Sequence, residues 1–195
     1  MALTPIAWNV HATMSHTKAN GPGIRFAVWV QGCSLGCSGC FNPETHGSGD
    51  GARSTDDIFG ALLASLPVDG VTVTGGEPLE QPAALTDFVR LIRSDPRTSG
   101  LSVVVLSGFT PDEIRSDVSR SAAVEFVDTV VAGRYNRGLH LGSGLRGSSN
   151  KTYWHLTDRL DDEDFMTVPE GEILIGTDGS ITLTGMHEWA KVMGS

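Results

Sequence analysis

The chain has 195 residues, of which 39% are hydrophobic and 19% charged, and this is enough for one domain with a buried core and excludes a disordered protein. Its formal net charge of −9 disfavours binding to nucleic acid, and no apolar run is long enough to span a bilayer. The first 20 residues lack the basic and apolar blocks of a secretion signal, so a cytoplasmic location is expected.

Strands and helices are predicted to alternate from residue 24 onward. The apolar, β-branched runs at 24–30, 71–74, 101–106 and 126–131 predict four buried strands. Between them, helices are predicted to begin at Ser54 or Thr55, at Pro82, and after Thr110, because capping residues or proline precede an apolar periodicity there. This alternation predicts βαβ units around a parallel sheet.

The last third of the chain has a different pattern. Residues 172–175 and 180–184 flank an Asp-Gly turn, which predicts a β-hairpin. Residues 137–150 are rich in glycine and serine and are predicted to form a long loop, of which 142–147 is expected to be flexible and is a hypothetical lid or partner-docking segment. Part of it, 142–147, matches Gly-x-Gly-x-x-Gly, but no strand precedes it directly and no apolar helix follows, so a dinucleotide site is not predicted.

All three cysteines of the chain lie in one short segment. Cys33, Cys37 and Cys40 have the spacing Cys-x3-Cys-x2-Cys, directly after the first predicted strand. Thiolates are the soft ligands that iron–sulfur clusters require, and three of them leave one iron of a four-iron cube open to another molecule. The interspersed glycines let the backbone turn tightly around a bulky group. The segment therefore indicates a cluster-binding loop.

Two other interpretations of the cysteines remain open at this point. A structural zinc site would use the three thiols and His46, although such sites usually join two separate ligand pairs. The cysteines would otherwise be unrelated buried residues, which their close spacing disfavours.

A second motif follows the second predicted strand. Gly75-Gly76-Glu77 stands where ligand-binding turns occur in α/β sheets. Its glycines let backbone carbonyls approach a buried ammonium group closely, and its carboxylate can balance the charge. Alone the motif is an ordinary turn, but one βα unit after the cysteine loop it indicates a binding site.

Together the two motifs resemble those of the radical S-adenosylmethionine (SAM) superfamily. The resemblance implies one 4Fe-4S cluster held by Cys33, Cys37 and Cys40, with SAM bound to the open iron. Reductive cleavage of SAM then gives a 5′-deoxyadenosyl radical, which abstracts a hydrogen atom from the substrate. The implied fold is α/β, a partial, open (β/α) barrel of radical SAM type with a C-terminal β-hairpin. We expect a single domain over residues 1–195, with its core at about 20–185.

Further stretches narrow the resemblance to one branch. Residues 20–25, 39–45, 106–110, 128–133, 146–150 and 178–185 resemble the activating enzymes of glycyl-radical enzymes, and most of all those of anaerobic ribonucleotide reductase. This implies a large glycyl-radical enzyme as partner and flavodoxin or ferredoxin as electron donor. Action on a peptide or small molecule is an alternative of the same chemistry, and a non-catalytic iron–sulfur or zinc module is an alternative of another class.

The resemblance also implies which residues contact SAM. They are Gly39, Cys40 and Phe41 near the adenine, Gly75, Gly76 and Glu77 at the methionine amino group, and Ser107 and Asp128 near the ribose. An ordinary turn at Ser107 and an exposed acid at Asp128 are the alternative interpretations of those two. One departure stands out, because Lys151 occupies a position where the branch usually has glutamine.

Overall fold

The computed structural model describes residues 5–49 and 51–186. Its main sheet has seven strands in the order β3-β1-β2-β4-β5-β6-β7, and β8 and β9 form a separate two-stranded sheet. The strands are β1 (Ala7–Thr17), β2 (Arg25–Val30), β3 (Ala52–Ser54), β4 (Gly70–Gly75), β5 (Ser102–Ser107), β6 (Thr129–Ala132), β7 (Thr152–His155), β8 (Gly171–Ile175) and β9 (Ile181–Gly185). The helices are α1 (Thr55–Ala64), α2 (Pro82–Ser94), α3 (Pro111–Arg115), α4 (Val118–Ala123) and α5 (Asp162–Met166).

The centre of the main sheet is parallel. Strands β2, β4, β5 and β6 pair in parallel, while β1 pairs antiparallel with β2 and β7 pairs antiparallel with β6. The sheet ends at β3 and β7 without closing on itself. These pairings confirm the predicted α/β class and the partial, open barrel. They also bring the carboxyl ends of four strands to one edge, where α/β proteins bind ligands.

Capping groups fix where the predicted helices begin. Ser54 accepts a hydrogen bond from the Asp57 N–H in a reciprocal capping box, and Thr110 and Glu113 form the same arrangement at α3. Each such cap typically contributes about 1 kcal/mol to helix stability. Helix α2 begins at Pro82, as the sequence predicts, because its missing N–H has no partner to lose there.

The two faces of the sheet have different coverings. Along β5, Val103 and Val105 belong to the large hydrophobic core beneath the helices, whereas Val104 belongs to a smaller cluster on the opposite face with Leu145 and Phe165. This alternation follows from the two-residue period of a strand. The opposite face thus keeps room for a cavity beside the smaller cluster.

The amino ends of the central strands are tied together by Arg25. Its side chain is fully buried, and all of its nitrogens donate hydrogen bonds, to Thr72 Oγ1, Ser102 Oγ and three backbone carbonyls. Burial lowers the pKa of Arg25, and the carboxylates of Asp128 and Asp69 oppose that shift. One cation therefore joins β2, β4 and β5 at the edge opposite the carboxyl ends.

Several elements differ from the sequence predictions. Strands β1 and β7 were not predicted, and β6 begins at Thr129 rather than residue 126. The Asp-Gly hairpin is confirmed, with Ile175 paired to Ile181. No helix within the described part of the chain is both long and apolar enough to cross a membrane.

The glycine-rich segment 137–150 is a loop, as predicted, apart from one 3-10 turn at Arg137–Leu139, and it is packed rather than extended into solvent. Its backbone folds back on itself, since the Leu141 N–H donates to the Gly147 carbonyl and the Ser149 N–H to the Leu139 carbonyl. Leu145 is 4% exposed and inserts into the smaller hydrophobic cluster. An apolar anchor between the glycines thus fixes a segment whose composition predicts mobility.

Candidate functional site

A cavity of about 730 Å³ lies at the carboxyl ends of the parallel strands. The loops after β2, β4 and β5 contribute to its wall, and the inner face of the β8–β9 hairpin covers part of it. Most of the residues predicted from the sequence line it, namely Cys33, Cys37, Cys40, Phe41, Gly75, Gly76, Glu77 and Ser107. Its volume falls in the usual range for a site that encloses a small molecule.

The cysteine loop has a tightly turned backbone. Gly32, Gly36 and Gly39 adopt positive φ angles of 102°, 58° and 74°, a region that side chains with a Cβ rarely enter. All three thiols are half-buried and free, and the Asn42 N–H donates to Cys40 Sγ at 3.4 Å. An N–H directed at a sulfur is the kind of contact that stabilises thiolate ligands.

The turn at residues 75–77 is bonded directly to the cysteine loop. The Gly76 N–H donates to the Val30 carbonyl at 2.8 Å, and the Glu77 N–H donates to the Gly32 carbonyl at 2.9 Å. A Cβ on Gly76 would lie 2.2 Å from the Gly32 oxygen, so glycine is required at this position by the close approach of the two loops. The two motifs therefore form one structural unit.

Glu77 connects this unit to the loop after β5. Its side chain is 1% exposed, and its Oε1 accepts from the Leu79 N–H at 2.9 Å and from Ser107 Oγ at 2.8 Å. Its Oε2 accepts from the Gly108 N–H at 2.7 Å. Burial raises the pKa of Glu77, and these donors oppose the rise. The carboxylate thus holds the β4 and β5 turns in register at the cavity wall.

The donor set fits an iron–sulfur cluster. Three thiols that form no disulfide line the cavity from a loop with glycine turns, and soft sulfur ligands in this number suit a four-iron cube with one open iron. Burial raises the pKa of the Cys33 and Cys40 thiols, and Glu77 and Glu44 respectively add to that rise. Within residues 5–49 and 51–186, no three His, Cys, Asp or Glu side chains converge on a single metal position.

Comparison with known families identifies the group. Residues 19–154 match the family described as "4Fe-4S single cluster domain". The chain belongs to this family. The match spans the cysteine loop, the Gly75–Glu77 turn and the whole parallel sheet, and it assigns the three cysteines to a 4Fe-4S cluster rather than to zinc.

Several proteins similar to this chain are named as activating enzymes or activating proteins. The chain is 39% identical over 98 residues to the pyruvate formate-lyase-activating enzyme of Listeria monocytogenes, a match that covers 47% of this chain and 40% of that protein. It is 28% identical over 144 residues to the anaerobic ribonucleoside-triphosphate reductase-activating protein of Enterobacteria phage T4, covering 71% of this chain and 88% of the phage protein. The Escherichia coli protein of the same name is 28% identical over 155 residues and is covered over 99% of its length.

These matches confirm the resemblance recognised from the sequence. The chain spans less than half the length of the Listeria enzyme, so the whole activity of that relative is not transferred by the match. Among solved structures, QueE from Escherichia coli is similar over 53% of both chains, with a TM-score of 0.43 and 19% identity.

Asp128 does not lie in the cavity, which corrects the expectation that it borders the SAM pocket. It is 1% exposed at the amino end of β6 and forms ion pairs with Arg93 at 2.6 Å and with Arg159 at 3.3 Å. It also accepts from the Val103 N–H at 2.7 Å. Its role in this fold is to join β5 and β6 at the sheet edge opposite the cysteines.

Sequence reasoning did not place two other residues at the cavity, Tyr135 and Lys151, the second of which was noted only as a departure from the branch. Tyr135 lies 4.8 Å from Phe41 between ring centroids, and its hydroxyl is 3.2 Å from His140 Nδ1. Lys151 lines the cavity beside Cys37 and Cys40. No sequence pattern places these residues at the site, because they follow β6 in irregular segments whose path depends on packing.

Proposed function

We propose that this chain is a radical SAM enzyme that activates a partner glycyl-radical enzyme, such as an anaerobic ribonucleotide reductase. The observation that carries the proposal is the shared cavity, in which the three cysteine thiols and the Gly75–Glu77 turn line one space of about 730 Å³. A cluster on the cysteines leaves part of this space for a nucleoside-sized molecule. The names of the relatives support the activating role.

Different residues of the cavity would hold the cluster and the SAM molecule. Cys33, Cys37 and Cys40 would hold the cluster, which when bound supplies the electron that cleaves SAM to the 5′-deoxyadenosyl radical. The backbone of the Gly75–Glu77 turn would hold the methionine amino group, and Phe41 would lie against the adenine. Glu77 keeps Ser107 and the β5 turn at the wall.

The proposal also includes an electron donor, a hydrogen donor and a cellular location. Reductive cleavage needs a strongly reducing donor, so flavodoxin or ferredoxin is the expected electron source. The hydrogen donor would be a glycine of the large partner enzyme. We further propose a cytoplasmic location and a single domain over the whole chain.

The test begins with anaerobic cluster reconstitution, followed by dithionite reduction with SAM and chromatography of 5′-deoxyadenosine. We expect product from the wild type and from Ser38→Ala, a matched change within the same loop, but none from Cys37→Ala. A loaded and reduced wild-type cluster that gives no 5′-deoxyadenosine would refute radical SAM activity.

The activating role needs a second measurement. The loaded protein is mixed with a candidate glycyl-radical enzyme, SAM and dithionite, and the glycyl radical is detected by electron paramagnetic resonance. A radical on the partner supports the proposal. Cleavage of SAM without a radical on any glycyl-radical enzyme encoded beside this chain would favour action on a peptide or a small molecule.

A further inference from the structure

Lys151 places a cation at the wall of the cavity. Its side chain lines the space together with Cys37, Cys40 and Glu77, and its Cα and Cγ lie 3.5 and 3.6 Å from the position of a Cβ on Gly133. Across residues 5–49 and 51–186, no hydrogen bond or ion pair of its ammonium group is found. An ammonium group at a cavity wall that forms no ion pair of its own favours an occupant that carries negative charge.

The other charged groups near the cysteines do not balance negative charge on the sulfur atoms. The thiols are surrounded by the carboxylates of Glu44, Glu77 and Glu80, which disfavour negative charge on sulfur. Arg134 also faces the site, but it donates to Glu113 at 2.8 Å and so carries its own counterion. Arg137 lies against Gly39 of the cysteine loop but does not line the cavity, whereas Lys151 does line it and, among the described residues, forms no ion pair of its own.

Electrostatic interaction links Lys151 to two of the ligands. Burial lowers the pKa of Lys151 to about 8, while the carboxylate of Glu77 and the thiol groups of Cys37 and Cys40 favour its charged form. In the other direction, the ammonium group opposes the rise in the pKa of Cys40 that burial causes. At pH 7 the lysine is below this value and carries its positive charge.

We propose that Lys151 sets the reduction potential of the cluster by stabilising its reduced state. One-electron reduction adds a unit of negative charge to a site that already holds three thiolates, and a fixed cation at the same cavity wall lowers the free energy of that added charge. The proposal rests on the cluster and its cysteine ligands, and it does not require SAM cleavage or any partner. Lys151 acts only through its positive charge and takes no part in bond breaking.

The test is an anaerobic redox titration of the reconstituted protein at pH 7 without SAM, with the reduced cluster measured by electron paramagnetic resonance. For Lys151→Gln we expect a roughly tenfold shift of the one-electron equilibrium against reduction, which corresponds to a midpoint about 59 mV lower. Lys151→Arg should retain the wild-type midpoint. Lys18→Gln, the same change at an exposed lysine outside the cavity lining, should also retain it.

A second neutral variant keeps the proposal testable if Lys151→Gln incorporates too little cluster to measure. Lys151→Met removes the charge with a side chain of similar length, and the proposal requires its midpoint to fall with that of Lys151→Gln. Wild-type midpoints in both neutral variants would overturn the proposal. If both neutral variants fail to retain iron and Lys151→Arg retains it, Lys151 serves cluster assembly and the proposal is also wrong. Because SAM is absent, a failure of the proposed function leaves this result unaffected.

Discussion

Replacement of Glu77 by glutamine tests whether one buried carboxylate holds the cavity wall together. Glutamine keeps the shape of the side chain but replaces one oxygen by an N–H donor. In either orientation, the new amide group meets a backbone N–H that the carboxylate now accepts, that of Gly108 or that of Leu79. Ser107 can adapt, because its hydroxyl can accept as well as donate.

The expected cost follows from these contacts. A buried N–H left without an acceptor costs about 1–3 kcal/mol, and the bonds that survive lose their charge assistance. Part of this loss is offset, because the burial that raises the pKa of Glu77 also makes its charge expensive to hold. We therefore expect Glu77→Gln to lower the free energy of unfolding by about 2 kcal/mol.

The assay is urea unfolding of the cluster-free protein under reducing, anaerobic conditions, followed by circular dichroism. Glu125→Gln is the matched control, because Glu125 is exposed and its replacement should change nothing measurable. A Glu77→Gln protein as stable as the control would show that the carboxylate does not tie the β4 and β5 turns, and the account of the cavity wall would fail.

Three further predictions address the sheet, the loop contact and the thiols. Arg25→Lys should lower the free energy of unfolding by about 3 kcal/mol or more in the same urea assay, since at least two charge-assisted hydrogen bonds disappear. The control is Arg97→Lys, which changes the exposed Arg97–Asp95 ion pair and should have no effect. Gly76→Ala should reduce iron retention strongly, because the added Cβ would overlap the Gly32 carbonyl of the cysteine loop. Gly60→Ala is the control, since there is open space around that residue, and it should leave iron retention unchanged. As an alanine in helix α1, it should also raise helix stability by about 0.5–1 kcal/mol. The raised pKa of the Cys40 thiol predicts that cluster loading at fixed iron and sulfide increases from about pH 7 to pH 9, since each ligand must lose its proton.

The same thiols give a stability prediction of opposite sign for the protein without its cluster. A thiol whose pKa is raised by folding binds its proton more tightly in the native state, so its contribution is present below the pKa of the unfolded chain and declines as the pH rises beyond it. Unfolding measured as a function of pH would separate the two effects. Loading that falls with pH, or apoprotein stability that rises above about pH 9, would contradict the assigned burial of the sulfur.

Much of the site could be predicted from sequence because its motifs are local. The cysteine spacing and the Gly75–Glu77 turn each follow a strong strand signal, and parallel strands necessarily deliver such loops to one edge. A helix cap at Ser54 or Thr55 could be predicted for the same reason, since a cap depends on residues within four positions, and the structure shows it at Ser54.

Residues and strands whose position depends on contacts between distant parts of the chain could not be predicted from the sequence. Asp128 precedes β6 by one residue, so it lies at the amino end of that strand. The strand predicted at 126–131 also had it near the amino end, and the expectation that it borders the SAM pocket came from the resemblance alone. Strand β7 was not predicted, because its pairing with β6 is decided by packing across a long loop rather than by any local pattern.

The contacts among the loops also explain how a site for a large cofactor can exist in so short a chain. The cysteine loop is bonded to the β4 turn through Gly76 and Glu77, and the β4 turn is bonded to the β5 turn through the Glu77 carboxylate. None of these bonds uses a thiol, so the ligands remain free while the backbone around them is fixed. The protein scaffold therefore positions the loops before the cluster binds, and the charges that face the thiols, Lys151 above all, are left to determine how the bound cluster behaves.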